Sequence, residues 1–237
     1  MSNPTGYSMQ DATQDDSITQ RAYLRLKSDL IACRLPPGQR INISRIQRET
    51  GFSQAAVREA LSRLTSEGLA EIERHSGFRA SPISTTGFRE LSEASMVLEV
   101  PCLRSAIEHG GLEWEGKLLA TIHMSSRMLA EVVEGRAELD KYTAHREAFY
   151  DALLSPCENK WLLKSWKQLY VQQMRYRHTF RKLAEYELSL SEYYRNFIDA
   201  ILARDTDRAI ALCLEKYEKV IDFVEHLEAT GDEAKAS

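Results

Sequence analysis

Between Thr86 and Leu227 the chain offers nothing but helix. Apolar residues recur at heptad-like spacing, glycines are few, and no run alternates apolar and polar residues as a half-buried strand does. Such a segment can hide its apolar stripes only against other helices. Breaks are expected at Gly110-Gly111, Gly135, Ser155-Pro156 and Asp205, residues that end helices or cap the next one. They divide the segment into about six or seven helices of roughly 12–22 residues, enough for an antiparallel bundle with a closed interior.

The residues before it use a different language. Ile18, Ala22, Leu26 and Leu30 form one helical stripe, and Leu35-Pro36-Pro37-Gly38 ends it, because two prolines cannot continue a helix. A short helix is expected over Ser44–Thr50, then a turn at Gly51-Phe52. A second helix follows from about Gln54 to Glu67, with Ser53 as N-cap and Gly68 just past its end. Residues 69–73 and 78–80 read as the strands of a hairpin joined through Arg74-His75-Ser76-Gly77. The fold class is therefore mainly α: a winged helix-turn-helix over residues 17–84, then an all-α bundle of six to seven helices over residues 85–230. Residues 1–16 and 231–237, polar and without periodicity, are expected to be disordered tails.

Charge supports that division. The 237 residues carry a net −4, but residues 17–84 hold eleven Lys/Arg against six Asp/Glu. From Thr85 onward the balance reverses, with twenty Lys/Arg against twenty-six Asp/Glu. A basic module on an acidic body suits a surface that meets phosphate. No apolar run reaches the roughly 20 residues of a membrane span. The start, MSNPTGYSMQDATQDDS, has neither a basic n-region nor an apolar h-region, so a cytoplasmic location is expected. Cys33, Cys102, Cys157 and Cys213 are scattered and read as free, mostly buried thiols.

In a winged helix-turn-helix the second helix enters the major groove of DNA. Here Val57, Ala60, Leu61 and Leu64 face a small core, while Gln54, Ala55, Arg58 and Ser62 face outward. Arg45 and Arg48 on the preceding helix are phosphate candidates, as are Arg74, His75 and Arg79 of the wing. A plain alternative is a helical subdomain with ordinary surface arginines. The motif speaks against that alternative. Pro37-Gly38, Gly51, Ser53, Val57-Arg58-Glu59-Ala60-Leu61, Leu64, Glu67-Gly68-Leu69 and the wing's Gly77 resemble the GntR family of bacterial transcription regulators over about 65 residues. The all-helical remainder, with "MVLEVPCLRSAIEHG", "NKWLL" and "DAILARDTDRAIALCLEKY", resembles the FadR-like subgroup with its FCD effector domain. The resemblance implies a homodimer that reads a palindromic double-stranded operator with Ser53, Gln54, Ala55 and Arg58, and that responds to a small effector. One position departs from the family, which usually has Arg where Gln54 stands. Arg pairs with guanine O6 and N7, whereas Gln suits adenine N6 and N7, so a shifted base preference is expected. Glu59 is assigned a structural pairing with Arg63.

Many FCD domains hold a metal through an Asp and three His, and the metal holds a carboxylate effector. Aligned on Phe149 and on Asn159–Leu163, the four ligand positions fall on Arg146, Tyr150, Tyr194 and Lys216. Arginine and lysine are not ordinary ligands and phenols are uncommon ones. No metal and no cofactor is therefore expected. What replaces them stays cationic: Arg146 and Lys216 can clamp an anion, and Tyr150 and Tyr194 can each donate one hydrogen bond to it. Arg175 and Arg177 are weaker candidates from a neighbouring helix. Three alternatives stay open. The cations can be paired with interior carboxylates such as Glu147 or Glu192. A metal can use another histidine register, His145 with Asp140, although a spacing of five is poor for chelation on a helix. The chain can also be an enzyme or ligand-binding protein with a repurposed helix-turn-helix, but no Ser/His/Asp arrangement, phosphate-cradling Gly loop or metal cluster supports that. The expected protein is a ligand-responsive, sequence-specific DNA-binding regulator, a repressor by family habit, whose helical domain takes a small carboxylate-type anion without a metal.

Overall fold

The computed structural model describes residues 9–73, 77–180 and 182–230, with side chains from residue 18 onward. Among them are ten helices and one two-stranded hairpin. They divide into two compact units after Ile83.

The first unit contains α1 (Met9–Ile31), α2 (Ile43–Thr50), α3 (Gln54–Ser66), β1 (Ala70–Glu73) and β2 (Gly77–Ala80). Helix α1 begins eight residues before the expected start at residue 17. Residues 9–16, expected to be disordered, contain no Gly or Pro, and extending an existing helix needs no new nucleus. Residues 1–8 and 231–237 of the two expected tails lie outside the described residues. The short elements start and stop for local reasons. Asn42 caps α2 by accepting from Arg45 N at 2.9 Å. Ser53 caps α3 by accepting from Ala56 N at 3.2 Å. Gly51, in the turn between them, has φ +74°, a conformation that a Cβ disfavours. The core joins Ala22, Leu26 and Leu30 of α1 to Val57, Leu61 and Leu64 of α3, all at most 1% exposed. Each such leucine contributes about 1.5–3 kcal/mol by leaving water. Antiparallel pairing of Ala70 with Ala80 and Ile72 with Phe78 closes the wing.

The second unit contains α4 (Thr85–His109), α5 (Leu112–Val133), α6 (Leu139–Leu154), α7 (Lys160–Thr179), α8 (Lys182–Ser189), α9 (Ser191–Leu202) and α10 (Thr206–Ala229). The breaks at Gly110-Gly111, Gly135, Ser155-Pro156 and Asp205 stand where the sequence puts them. Two more breaks do not announce themselves. Phe180 ends α7, and Leu190 alone separates α8 from α9. Both are buried apolar residues, so packing rather than local chemistry turns the chain there. Helix α4 packs on α7 and α10, α5 on α6 and α8, and α9 on α10. Cys33 is half-buried, and Cys102, Cys157 and Cys213 are buried free thiols. Among the described residues no helix is long and apolar enough to cross a membrane.

Candidate DNA-reading face and charged interior

Helix α3 presents Gln54, Ala55, Arg58 and Ser62 to solvent while Ala56, Val57, Ala60, Leu61 and Leu64 are buried, so its two faces separate as the spacing implies. Ser53 orients its start through the cap. Arg45 and Arg48 are both exposed on α2, and Arg45 lies 3.5 Å from Glu49 one turn on. Arg79 is held by Glu73 at 2.6 Å across the hairpin, and Arg40 approaches the same carboxylate at 3.7 Å. Gly77 opens β2, whereas Arg74 and His75 lie outside the described residues. Arg63 does not pair with Glu59. It donates to Gln20 at 3.1 Å and stacks over the Tyr23 ring at 4.1 Å, since α1 offers both an acceptor and an aromatic face.

The interior of the second unit is unusual for a helical bundle. Arg146, Arg177, Lys216, Glu99 and Glu187 are all 7% exposed or less. Charged side chains are rarely buried so deeply unless paired. Arg146 is 3% exposed on α6. Its Nη1 donates to Tyr194 at 3.1 Å and to Tyr142 at 3.2 Å, and its Nη2 to Tyr150 at 3.5 Å. Nη2 also stands 3.3 Å from Glu187 Oε1. Glu187, from α8, accepts from Arg177 Nη2 at 2.7 Å and from Tyr142 O–H at 2.8 Å. Burial alone would push the Glu187 carboxyl up; the Arg146 and Arg177 guanidiniums outweigh it and hold the group down at about 2.

Lys216 of α10 faces a second carboxylate. Its Nζ is 3.8 Å from Glu99 Oε1 and donates to Tyr150 O at 2.9 Å. Glu99, in the middle of α4, accepts from Tyr217 at 2.6 Å, Trp166 at 2.9 Å and Cys213 at 3.3 Å. Burial opposes the charge on both partners, yet Glu99 holds the Lys216 ammonium well above its usual value, and Lys216 with these donors holds Glu99 low. Tyr150 bridges the two carboxylate groups, accepting from Arg146 on one side and Lys216 on the other. Burial pushes its phenol up to about 12.

A cavity of about 30 Å³ adjoins Arg146, lined by Arg146, Tyr142, Tyr194 and Glu187 on one side and by Ile122 and Leu129 of α5 on the other. That is room for about one water molecule. Two groups on the residues that line it are left with hydrogens to give. Arg146 Nε is buried with no partner. Tyr194 accepts from Arg146, so its own proton is left for an acceptor.

Of the six residues read as an anion pocket, Arg146, Tyr150, Tyr194 and Arg177 share one network with Glu187. Lys216 sits behind Tyr150, already matched by Glu99, and does not line the cavity. Arg175 is buried and donates to Gln172 of its own helix at 3.0 Å. The carboxylates that meet the cations are not Glu147 or Glu192, both of which are exposed. They are Glu99 and Glu187, whose places only the helix packing reveals.

The four positions implied for metal ligands carry two cations and two phenols, so a divalent ion does not fit among them. In the rival register Asp140 stands 3.7 Å from His178. Among the described residues no group of three or more His, Cys, Asp or Glu is arranged to hold a metal.

A winged helix-turn-helix followed by a seven-helix unit defines a class of regulators that couple DNA reading to a helical domain. Sequence comparison makes the assignment specific. The profile "Bacterial regulatory proteins, gntR family" matches residues 18–79, and that of the FCD domain matches residues 90–219. The chain belongs to the GntR family of DNA-binding transcriptional regulators, in the group that carries an FCD domain. It is 28% identical over 209 residues to the HTH-type transcriptional regulator BphR of Paraburkholderia xenovorans (strain LB400), spanning 88% of this chain and 85% of that one. It is 28% identical over 194 residues to the HTH-type transcriptional repressor GlaR of Escherichia coli (strain K12), spanning 80% and 88%. In fold it resembles E. coli McbR/YncC, with TM-score 0.75 at 18% identity over 89% of this chain and 98% of that one.

Proposed function

We propose that this regulator acts as a two-fold dimer that represses transcription from a palindromic operator and is relieved by a small carboxylate bound in the helical domain without a metal. Gln54, Ala55 and Arg58 read bases in each half-site; Arg45, Arg48 and the wing residues Arg74, His75 and Gly77 hold the backbone, and Ser53 sets the angle of α3. Their exposure on one amphipathic helix and its neighbour supports this reading. Repression is taken from the similarity to GlaR.

The observation that carries the effector half is the charge imbalance around Arg146. Three buried cations, Arg146, Arg177 and Lys216, face two buried carboxylates, Glu99 and Glu187. One positive charge remains, beside a cavity that Arg146 and Tyr194 line, and Arg146 Nε is buried without a partner. A carboxylate is the ligand that this excess of positive charge suits. Because the cavity is small, a ligand larger than water must part the helices around it, and that movement is the coupling to the DNA-binding unit. Isothermal titration of mono- and dicarboxylates into the wild type and Arg146→Ala tests it, alongside operator binding at two salt concentrations. Carboxylate binding that Arg146→Ala weakens at least tenfold, with release of the operator, is the expected result. Unchanged affinity in Arg146→Ala would remove the pocket.

A further inference from the structure

We propose that Glu187 is a built-in occupant of the anion site: its carboxylate takes the place of an incoming carboxylate, which must displace it to bind. The inference rests on the effector reading above. Three observations converge on it. Glu187 is 1% exposed, so its carboxylate is committed to the interior. Its oxygens receive Arg177 from two nitrogens, at 3.1 and 2.7 Å, lie 3.3 Å from Arg146, and receive the Tyr142 hydroxyl. Two guanidiniums and a phenol are the donors a free carboxylate ligand would use. Glu187 and Arg146 both form part of the cavity wall, so an anion entering there meets the guanidinium that Glu187 faces.

The element that carries Glu187 suits a removable plug. Helix α8 has eight residues and is separated from α9 by Leu190 alone. It is anchored by buried Leu183 and by Tyr186, which stacks on Phe223 of α10 with ring centres 4.1 Å apart. Glu187 is its one carboxylate that reaches the interior, since Glu185 is exposed. With Glu187 in place, Arg146 and Arg177 together keep one unmatched charge. With Glu187 withdrawn they keep two, and the vacated position is shaped for one carboxylate. The ligand class is therefore a compact carboxylate that bonds through its head group, with its remainder against Ile122 and Leu129.

The test is rescue by acetate. Full-length wild type and Glu187→Ala are unfolded by heat in sodium acetate, in sodium chloride of equal ionic strength, and in neutral acetamide. Glu187→Ala is expected to melt well below the wild type in chloride and to regain about 5 °C or more in acetate, saturably, as a specific ligand does. Acetamide should give no gain, and Glu187→Ala/Arg146→Ala should lose the acetate response. The wild type should gain no more from acetate than from chloride. If Glu187→Ala does not fold in chloride, the same comparison is read as acetate-dependent recovery of helical circular dichroism on refolding. Acetate no better than chloride for Glu187→Ala overturns the proposal, as does rescue that survives loss of Arg146. The two readings fail separately. Rescue of Glu187→Ala with no carboxylate releasing the wild-type operator complex leaves the plug and removes the effector. Release of the wild-type complex by a carboxylate, without acetate rescue, does the reverse.

Discussion

The buried pair Glu99 and Lys216 makes the sharpest stability prediction, because the two partners are not equally served. Glu99 accepts three hydrogen bonds besides facing Lys216, whereas Lys216 has Tyr150 O as its other hydrogen-bonding contact. In Glu99→Gln the amide oxygen keeps its bonds to Trp166 and Tyr217 only by turning its NH2 toward Lys216 and the Cys213 thiol. A buried ammonium then faces a donor with no carboxylate to answer it. Breaking a buried ion pair by removing one partner costs about 3–5 kcal/mol. For a chain of this size each kcal/mol lowers Tm by about 2–4 °C, so the loss should be roughly 6–20 °C. Lys216→Met should cost less, since it leaves Glu99 with its three donors. The double variant Glu99→Gln/Lys216→Met should be more stable than Glu99→Gln alone, with a coupling energy above about 1 kcal/mol. Urea unfolding of the four proteins at one pH supplies all the terms. A Glu99→Gln variant within about 1 kcal/mol of wild type, or a double variant no better than it, would show that the interior tolerates a lone ammonium and that the pair is not structural.

Three further expectations follow from the same geometry. The folded-state pKa of Glu187 lies at about 2, below its ordinary value of 4.5, so its contribution is fully present above pH 4.5 and disappears as pH falls toward 2. That contribution is about 3 kcal/mol, and Glu187→Gln should flatten this acid limb in urea unfolding followed against pH; an unchanged slope would contradict it. At the DNA, Gln54→Arg should move the preferred base in each half-site from adenine toward guanine, with about 1–3 kcal/mol of discrimination in selection from a random pool. Dialysis against a strong chelator should leave Tm where it was, whereas a fall would put a metal in the helical domain by some other ligand set.

The fold was largely legible because local chemistry decides most of its boundaries. Ser53, Gly51, Gly68 and the Gly110-Gly111 pair act on their own neighbours, and the caps and left-handed turns they make need nothing from the rest of the chain. The division at Leu190 was not legible because nothing local enforces it; that residue turns the chain only by packing into the core. The start of α1 differs from the expected residue 17 for a related reason, since a polar composition suggests disorder while a neighbouring helix extends through it at little cost.

The charged interior divides along the same line. Arg146 and Tyr150, four residues apart on one helix, declare a shared inward face, and Arg177 follows from its own helix. Their counter-charges do not declare themselves. Glu99 and Glu187 lie 47 residues before and 41 after Arg146, among helical carboxylates that are mostly solvated. Burial of a cation is a local pattern, but its neutralisation is a long-range contact. This is why sequence alone favoured an open anion pocket and, where it allowed for interior carboxylates, named Glu147 and Glu192 rather than Glu99 and Glu187. The distinction changes what regulation requires. An empty cationic pocket would recruit an anion by attraction alone. A pocket already holding Glu187 exchanges one carboxylate for another, so the net electrostatic gain is small and selectivity falls on what surrounds the head group, the α5 wall and the freedom of α8 to withdraw. Substitutions at Ile122 and Leu129 should therefore change which carboxylate is accepted, while substitutions at Leu183 or Tyr186, which anchor α8, should change the affinity for every carboxylate together.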